Sequence, residues 1–214
     1  MNSMVNGFIV VLILTDFYLL ASSRLRALIR TVAIQGIVLS ALPFMLHAGQ
    51  FSVHTVVIGA GGFILKGLVI PFFLFRALRG IETYREERPY IGYTLSIGFG
   101  IAVMATAFLV GRSIPESVYF PHTPLISLSI AMAATGLFLI VARSQALTQI
   151  IGYLVLENAI YCFGISLSTQ QSLVVETGVL LDLLVGVFIM GVVINHIHRA
   201  FDSIHTEELE ALKE

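Results

Sequence analysis

The chain has 214 residues, 57% of them hydrophobic and only 12% charged, with a net charge of −1. Mean hydropathy is +0.93, and a soluble domain carries roughly twice this share of charge, so the composition is that of an integral membrane protein. It offers no basic surplus for a nucleic acid, and its single cysteine, Cys162, excludes internal disulfides and CxxC-type metal or redox sites.

A membrane span needs about 20 mostly apolar residues. Seven segments meet that length: Met4–Ser22, Ala27–His47, Val53–Leu78, Ile91–Gly111, Pro124–Val141, Ala146–Leu167 and Val174–Ile194. The expected fold is therefore an all-α bundle of seven transmembrane helices. A β-barrel would instead alternate polar and apolar residues over segments of about ten. Only Met-Asn-Ser-Met precedes the first run, without the positive n-region of a cleavable signal, so that run reads as a retained helix.

Helix one carries Asp16 near its middle. In helix three, Gly59, Gly61 and Gly62 precede Lys66, and Pro71 follows it. Proline has no N–H for the carbonyl of Gly67, so a kink is expected beside the lysine; the bland alternative is that the glycines only permit close packing. The link Arg76–Tyr90 has the mixed charge of a solvated turn, and its length would suit contact with another subunit. Helix six carries Glu157, with Asn158 and Tyr161 within one turn of it. Helix seven carries Asp182, and Glu176 is a competing acid nearer its outer end. The tail, 201–214, has an N-cap residue and acids suited to a short docking helix, with a frayed end as the equal alternative.

Orientation follows from Lys and Arg. The links after helices one, three and five, with the tail, hold Arg24, Arg26, Arg30, Arg76, Arg79, Arg85, Arg88, Arg143, Arg199 and Lys213, while the opposite links hold only Arg112. Ten against one places the N-terminus outside and the C-terminus in the cytoplasm. At about 1.5 Å per helical residue, Glu157 lies roughly 16 Å and Asp182 roughly 18 Å from the inner ends of their helices; Lys66 lies roughly 15 Å in and Asp16 roughly 12 Å in. Four ionisable side chains from four helices thus converge on one depth of a hydrocarbon layer about 30 Å thick.

A charged group at the centre of an inserted helix costs roughly 2.5–3.5 kcal/mol or more, and such groups face bundle interiors and pair with one another. Each has a structural alternative: a carboxyl hydrogen-bonded between helices, or, for Asp16, a partner to Arg24 or Arg26 at the interface. The combination of two acids and a lysine at one level favours proton handling, since relays in pumps are built from such residues. His47, His54, His122, His196, His198 and His205 all lie near the membrane faces, where caps or snorkelling are the expected roles. No phosphate loop, nucleophile elbow or HExxH motif occurs, so a covalent catalytic step is not expected of this chain.

A faint internal repeat is visible, because Arg24-Leu-Arg-Ala-Leu-Ile-Arg opens helix two much as Arg143-Ser-Gln-Ala-Leu-Thr-Gln opens helix six. It divides the chain into a three-helix unit with its cytoplasmic link (1–90), a connecting helix four (91–123), a second three-helix unit (124–200) and the tail.

Four stretches carry a family resemblance: Ser-Arg-Leu-Arg-Ala-Leu-Ile-Arg at 23–30, Leu-Lys-Gly-Leu-Val-Ile-Pro at 65–71, Leu-Glu-Asn-Ala-Ile at 156–160, and Asp182 with Gly186. Through them the whole chain resembles component E of hydrogenase-4, a membrane subunit of formate hydrogenlyase-type complexes. Its last three helices resemble the K subunit of complex I and the C subunit of multi-subunit cation/proton antiporters. The resemblance implies a non-catalytic subunit in a bacterial or archaeal cytoplasmic membrane. Antiporter-like subunits, a protein like the H subunit of complex I and a peripheral hydrogenase arm would surround it. A NiFe centre and iron–sulfur clusters would reside in those partners, with no cofactor in this chain. It also implies a proton path through Glu157, Asp182, Lys66 and Asp16, supported by Asn158, Tyr161 and Glu176. The K subunit carries a glutamate in each of two adjacent helices. Asp182 falls at the second position, whereas Leu154 stands at the first, with Glu157 one turn later and rotated by about 60°. The competing expectations are a subunit of a cation/proton antiporter and a scaffold whose buried charges only fix helix pairing.

Overall fold

A computed structural model describes residues 3–46, 53–79, 85–86, 89–114 and 123–166. The regular elements among the described residues are all helical: α1 (Ser3–Ala21), α2 (Leu25–Leu46), α3 (Val53–Ile64), a π-helical turn (Leu65–Val69), α4 (Ile70–Leu78), α5 (Tyr93–Arg112), α6 (Thr123–Ala142) and α7 (Ala146–Ser166). Six helical stretches are long and apolar enough to cross a membrane, with α3, the π turn and α4 sharing one of them. They coincide with six of the seven expected segments. The seventh, with Glu176 and Asp182, and the tail lie outside the described residues.

α2 lies at the centre of the bundle and packs on α1, α3, the π turn, α4 and α7, while α6 and α7 form the closest pair. Lipid tails are as apolar as leucine, so close helix packing depends on small residues that let backbones approach. Gly136 and Gly152 supply them here. A Cβ on Gly136 would stand 2.6 Å from the Leu156 nitrogen and 2.8 Å from the Gly152 carbonyl oxygen, and one on Gly152 would stand 2.9 Å from the Gly136 oxygen. α5 lies at the periphery, with Leu95, Ile101 and Leu109 exposed. Hydroxyls within the spans bond back to their own helix, Thr31 to the Ala27 carbonyl at 2.9 Å and Ser40 to that of Gly36 at 2.7 Å.

The buried apolar residues separate into two clusters. One gathers Leu19, Leu28, Ile29, Leu74, Leu139 and Ile151 with their neighbours, toward the end of the bundle where α1 turns into α2 and α6 into α7. The other gathers Val5, Leu12, Leu42, Leu128, Met132 and Cys162 toward the opposite end. Between them, each contributing helix places a polar residue: Asp16 between Leu12 and Leu19, Gln35 between Val32 and Leu39, Thr135 between Met132 and Leu139, and Glu157 with Asn158 between Val155 and Ala159.

Helix three is irregular beside Pro71, where an irregularity is expected. Pro71 sits in the first turn of α4, where a missing N–H is tolerated. The preceding ladder widens, and the Ile70 N–H bonds to the Leu65 carbonyl, five residues back. Such one-turn π segments relieve a broken i→i−4 ladder and recur at functional sites. This one carries Lys66.

Candidate buried charge layer

Lys66 is 8% exposed and Glu157 1%. The lysine projects from the π turn onto α7, where its ammonium forms an ion pair with the Glu157 carboxylate. It also donates to Asn158 Oδ1 at 3.2 Å and lies 4.8 Å from the centroid of the Tyr161 ring. An ammonium has three donors and no acceptor. A carboxylate, an amide oxygen and an aromatic face together replace the water it loses. Gly36 of α2 makes this reach possible, because a Cβ there would stand 2.6 Å from Lys66 Cβ.

The second buried acid makes a separate contact. Asp16 is 1% exposed and accepts a hydrogen bond from Gln35 Nε2 at 2.9 Å. Thr135 of α6 is buried in the same layer. Asp16 therefore faces the bundle interior, not Arg24 or Arg26 at the interface. The two polar groups adjoin through α2. Gln35 serves Asp16 while its neighbour Gly36 packs on Lys66, and Tyr161 faces Lys66.

The arrangement offers a proton two neighbouring places, Lys66 Nζ and the Glu157 carboxylate. Passing it from Lys66 Nζ to the Glu157 carboxylate converts a charged pair into a neutral one without changing the proton count. In a low-dielectric layer a charge arriving on either side shifts that balance strongly. Of the residues expected to form the path, Lys66, Glu157, Asn158 and Tyr161 come together, and Asp16 lies in the same layer beside Gln35. Asp182 and Glu176 lie outside the described residues. Leu154, one turn before Glu157, is buried in the apolar cluster, whereas Glu157 meets the lysine. Among the described residues no group of three or more His, Cys, Asp or Glu side chains is arranged to hold a metal ion.

Sequence reading missed two features. Gln35 is a lone amide in the middle of an apolar run, a signal of the same kind as the four charges. The other is a latch at the end where α6 turns into α7. There Arg143 is fully buried, donating to the Leu20 carbonyl at 2.7 Å and the Ile91 carbonyl at 3.3 Å, and stacking 4.5 Å from the Tyr93 ring centroid. Its Nε lies 3.6 Å from Glu86 Oε2, and Glu86 Oε1 accepts from the Ser144 N–H at 3.1 Å. Glu86 is 3% exposed, so this part of the expected solvated turn is folded into the bundle. Burial pushes the Glu86 carboxyl above its ordinary value, against the pull of Arg143 and of the Ser144 and Gln145 N–H groups. The same burial lowers the Arg143 guanidinium, opposed by Glu86 and Tyr93.

Fold and site together define a multi-pass helical membrane protein whose spans share a buried layer holding a lysine–glutamate pair and a second acid. Along its length the chain is similar to hydrogenase-4 component E of Escherichia coli K12 and of Shigella flexneri, 24% identical over 217 residues, covering 99% of this chain and 98% of those proteins. It is also 27% identical over 205 residues to an uncharacterized protein of Mycobacterium tuberculosis, covering 95% of this chain and 93% of that one. No family model matches the chain, and no solved structure does. The resemblance to hydrogenase-4 component E noted in four short stretches thus extends across the whole sequence.

Proposed function

We propose that this chain is a non-catalytic membrane subunit of a hydrogenase complex related to complex I, of the formate hydrogenlyase type, and that its buried charge layer carries protons. The observation that supports this most is the Lys66–Glu157 pair, held between two apolar clusters by Asn158 and Tyr161. Full-length similarity to hydrogenase-4 component E supports the hydrogenase setting. In this reading Lys66 and Glu157 exchange a proton when a neighbouring charge changes, Asp16 extends the path through Gln35, and Asp182 continues it from the expected span Val174–Ile194. Antiporter-like subunits and a protein like the H subunit of complex I flank it in the cytoplasmic membrane, with the N-terminus outside. The NiFe centre and iron–sulfur clusters belong to the peripheral arm.

The test is proton translocation by inverted membrane vesicles containing the assembled complex. Glu157→Gln removes the titrating group, and Glu157→Asp keeps it. The expected result is that both variants assemble, with a lower yield for Glu157→Gln because Lys66 loses its counter-charge, and that pumping per assembled complex is lost in the first and largely retained in the second. Normal pumping by Glu157→Gln would assign the layer a scaffold role. Identification of the copurifying polypeptides separates the hydrogenase setting from a cation/proton antiporter.

A further inference from the structure

A cleft of about 780 Å³ opens between α1 and α2, toward the turn that joins them. Its basic end is formed by Arg24, Arg26, Arg30 and Arg85, all of them exposed. No carboxylate lines it among the described residues. An antiparallel bridge between Arg24 and Arg85 ties the link to the start of α2, so the basic wall comes from two separate segments held together.

The rest of the wall is apolar. Val11, Leu14 and Tyr18 lie on one face of α1, are 38%, 62% and 46% exposed, and run about 10 Å along the helix from the basic end. Thr15 and Thr31 also line the cleft, but their hydroxyls bond to the Leu12 and Ala27 carbonyls. The polar recognition therefore falls to the arginines. Guanidinium groups bind phosphate oxygens bidentately, and basic pockets between transmembrane helices suit anionic headgroups.

We propose that this cleft binds an anionic phospholipid, its phosphate held by Arg24, Arg30 and Arg85 and one acyl chain laid along Val11, Leu14 and Tyr18. Charge and depth both select this occupant. The anion-binding end sits at the helix ends, at headgroup level, and the apolar groove continues from it into the hydrocarbon layer. A free phosphate would use only the first half of the site.

The test is native mass spectrometry of the full-length chain in detergent, titrated with phosphatidylglycerol, phosphatidylcholine or inorganic phosphate. Phosphatidylglycerol should bind at least tenfold tighter than phosphatidylcholine and should not be displaced by millimolar phosphate. Each arginine at an anionic headgroup is worth roughly fivefold in affinity, so Arg24→Gln with Arg30→Gln should weaken phosphatidylglycerol by roughly 25-fold. Arg24→Lys with Arg30→Lys should retain most of the binding, and Arg112→Gln, at the opposite end of the bundle, should leave it unchanged. Equal affinity for the two lipids, an unaffected double glutamine variant, or displacement by phosphate would each overturn the proposal. So would a glutamine variant that binds lipid normally but fails to enter the complex, since that outcome assigns the arginines to a protein partner.

Discussion

Lys66 and Glu157 each depend on the other to remain buried, and this dependence can be measured. Removing one partner of a buried ion pair strands the remaining charge and costs roughly 3–5 kcal/mol, whereas replacing both with apolar groups is often neutral. Lys66→Met should therefore destabilise the chain strongly in detergent, and Lys66→Met with Glu157→Leu should recover most of the loss in its unfolding midpoint. Additive effects in that double-mutant cycle would contradict direct pairing. Glu86 gives a second prediction. Its pKa in the folded chain is raised above 4.5, so its contribution to stability is fully present below 4.5 and is lost as pH rises through the folded value. Over that window the wild-type unfolding midpoint should fall relative to that of Glu86→Gln; a constant difference would contradict the burial of this carboxyl. Lys66, Glu157 and Asp16 were legible in the sequence because an ionisable group inside an apolar run is rare. Glu86 and Arg143 were not, since a charge at the end of a span looks the same whether it snorkels or folds inward.

The α6–α7 pair and the π turn fix where these side chains stand. Gly136→Ala places a methyl against the backbone of α7, and overpacking of that kind costs roughly 1–3 kcal/mol. Gly98→Ala, which meets nothing within 4 Å on α5, should change stability by no more than about 1 kcal/mol. Parallel thermal unfolding of the two variants checks the contrast, and equal effects would contradict the close α6–α7 contact. The helical spans were legible from apolar length, and an irregularity in helix three was legible from Pro71. Its form was not. The ladder widens into a π turn, and Gly36 of α2 packs against its Lys66.

Across the whole molecule, two apolar clusters clamp a polar layer that runs from α1 through α2 to α7. The common depth of Asp16, Lys66 and Glu157 was visible from counting along the helices. The division into two partnerships was not, because azimuth around each helix follows from packing that a linear count does not contain. The ten-to-one Lys and Arg bias predicts one orientation. A cysteine placed at position 2, in a chain with Cys162→Ser, should react with an impermeant thiol reagent added outside intact cells; reaction only after lysis would reverse the topology. The most direct test of the proposal that this layer carries protons remains translocation by vesicles holding the assembled complex, compared among wild type, Glu157→Gln and Asp182→Asn. The account predicts intact complexes in which pumping falls at least tenfold while hydrogenase activity at the peripheral arm persists. Full pumping by both variants would contradict it.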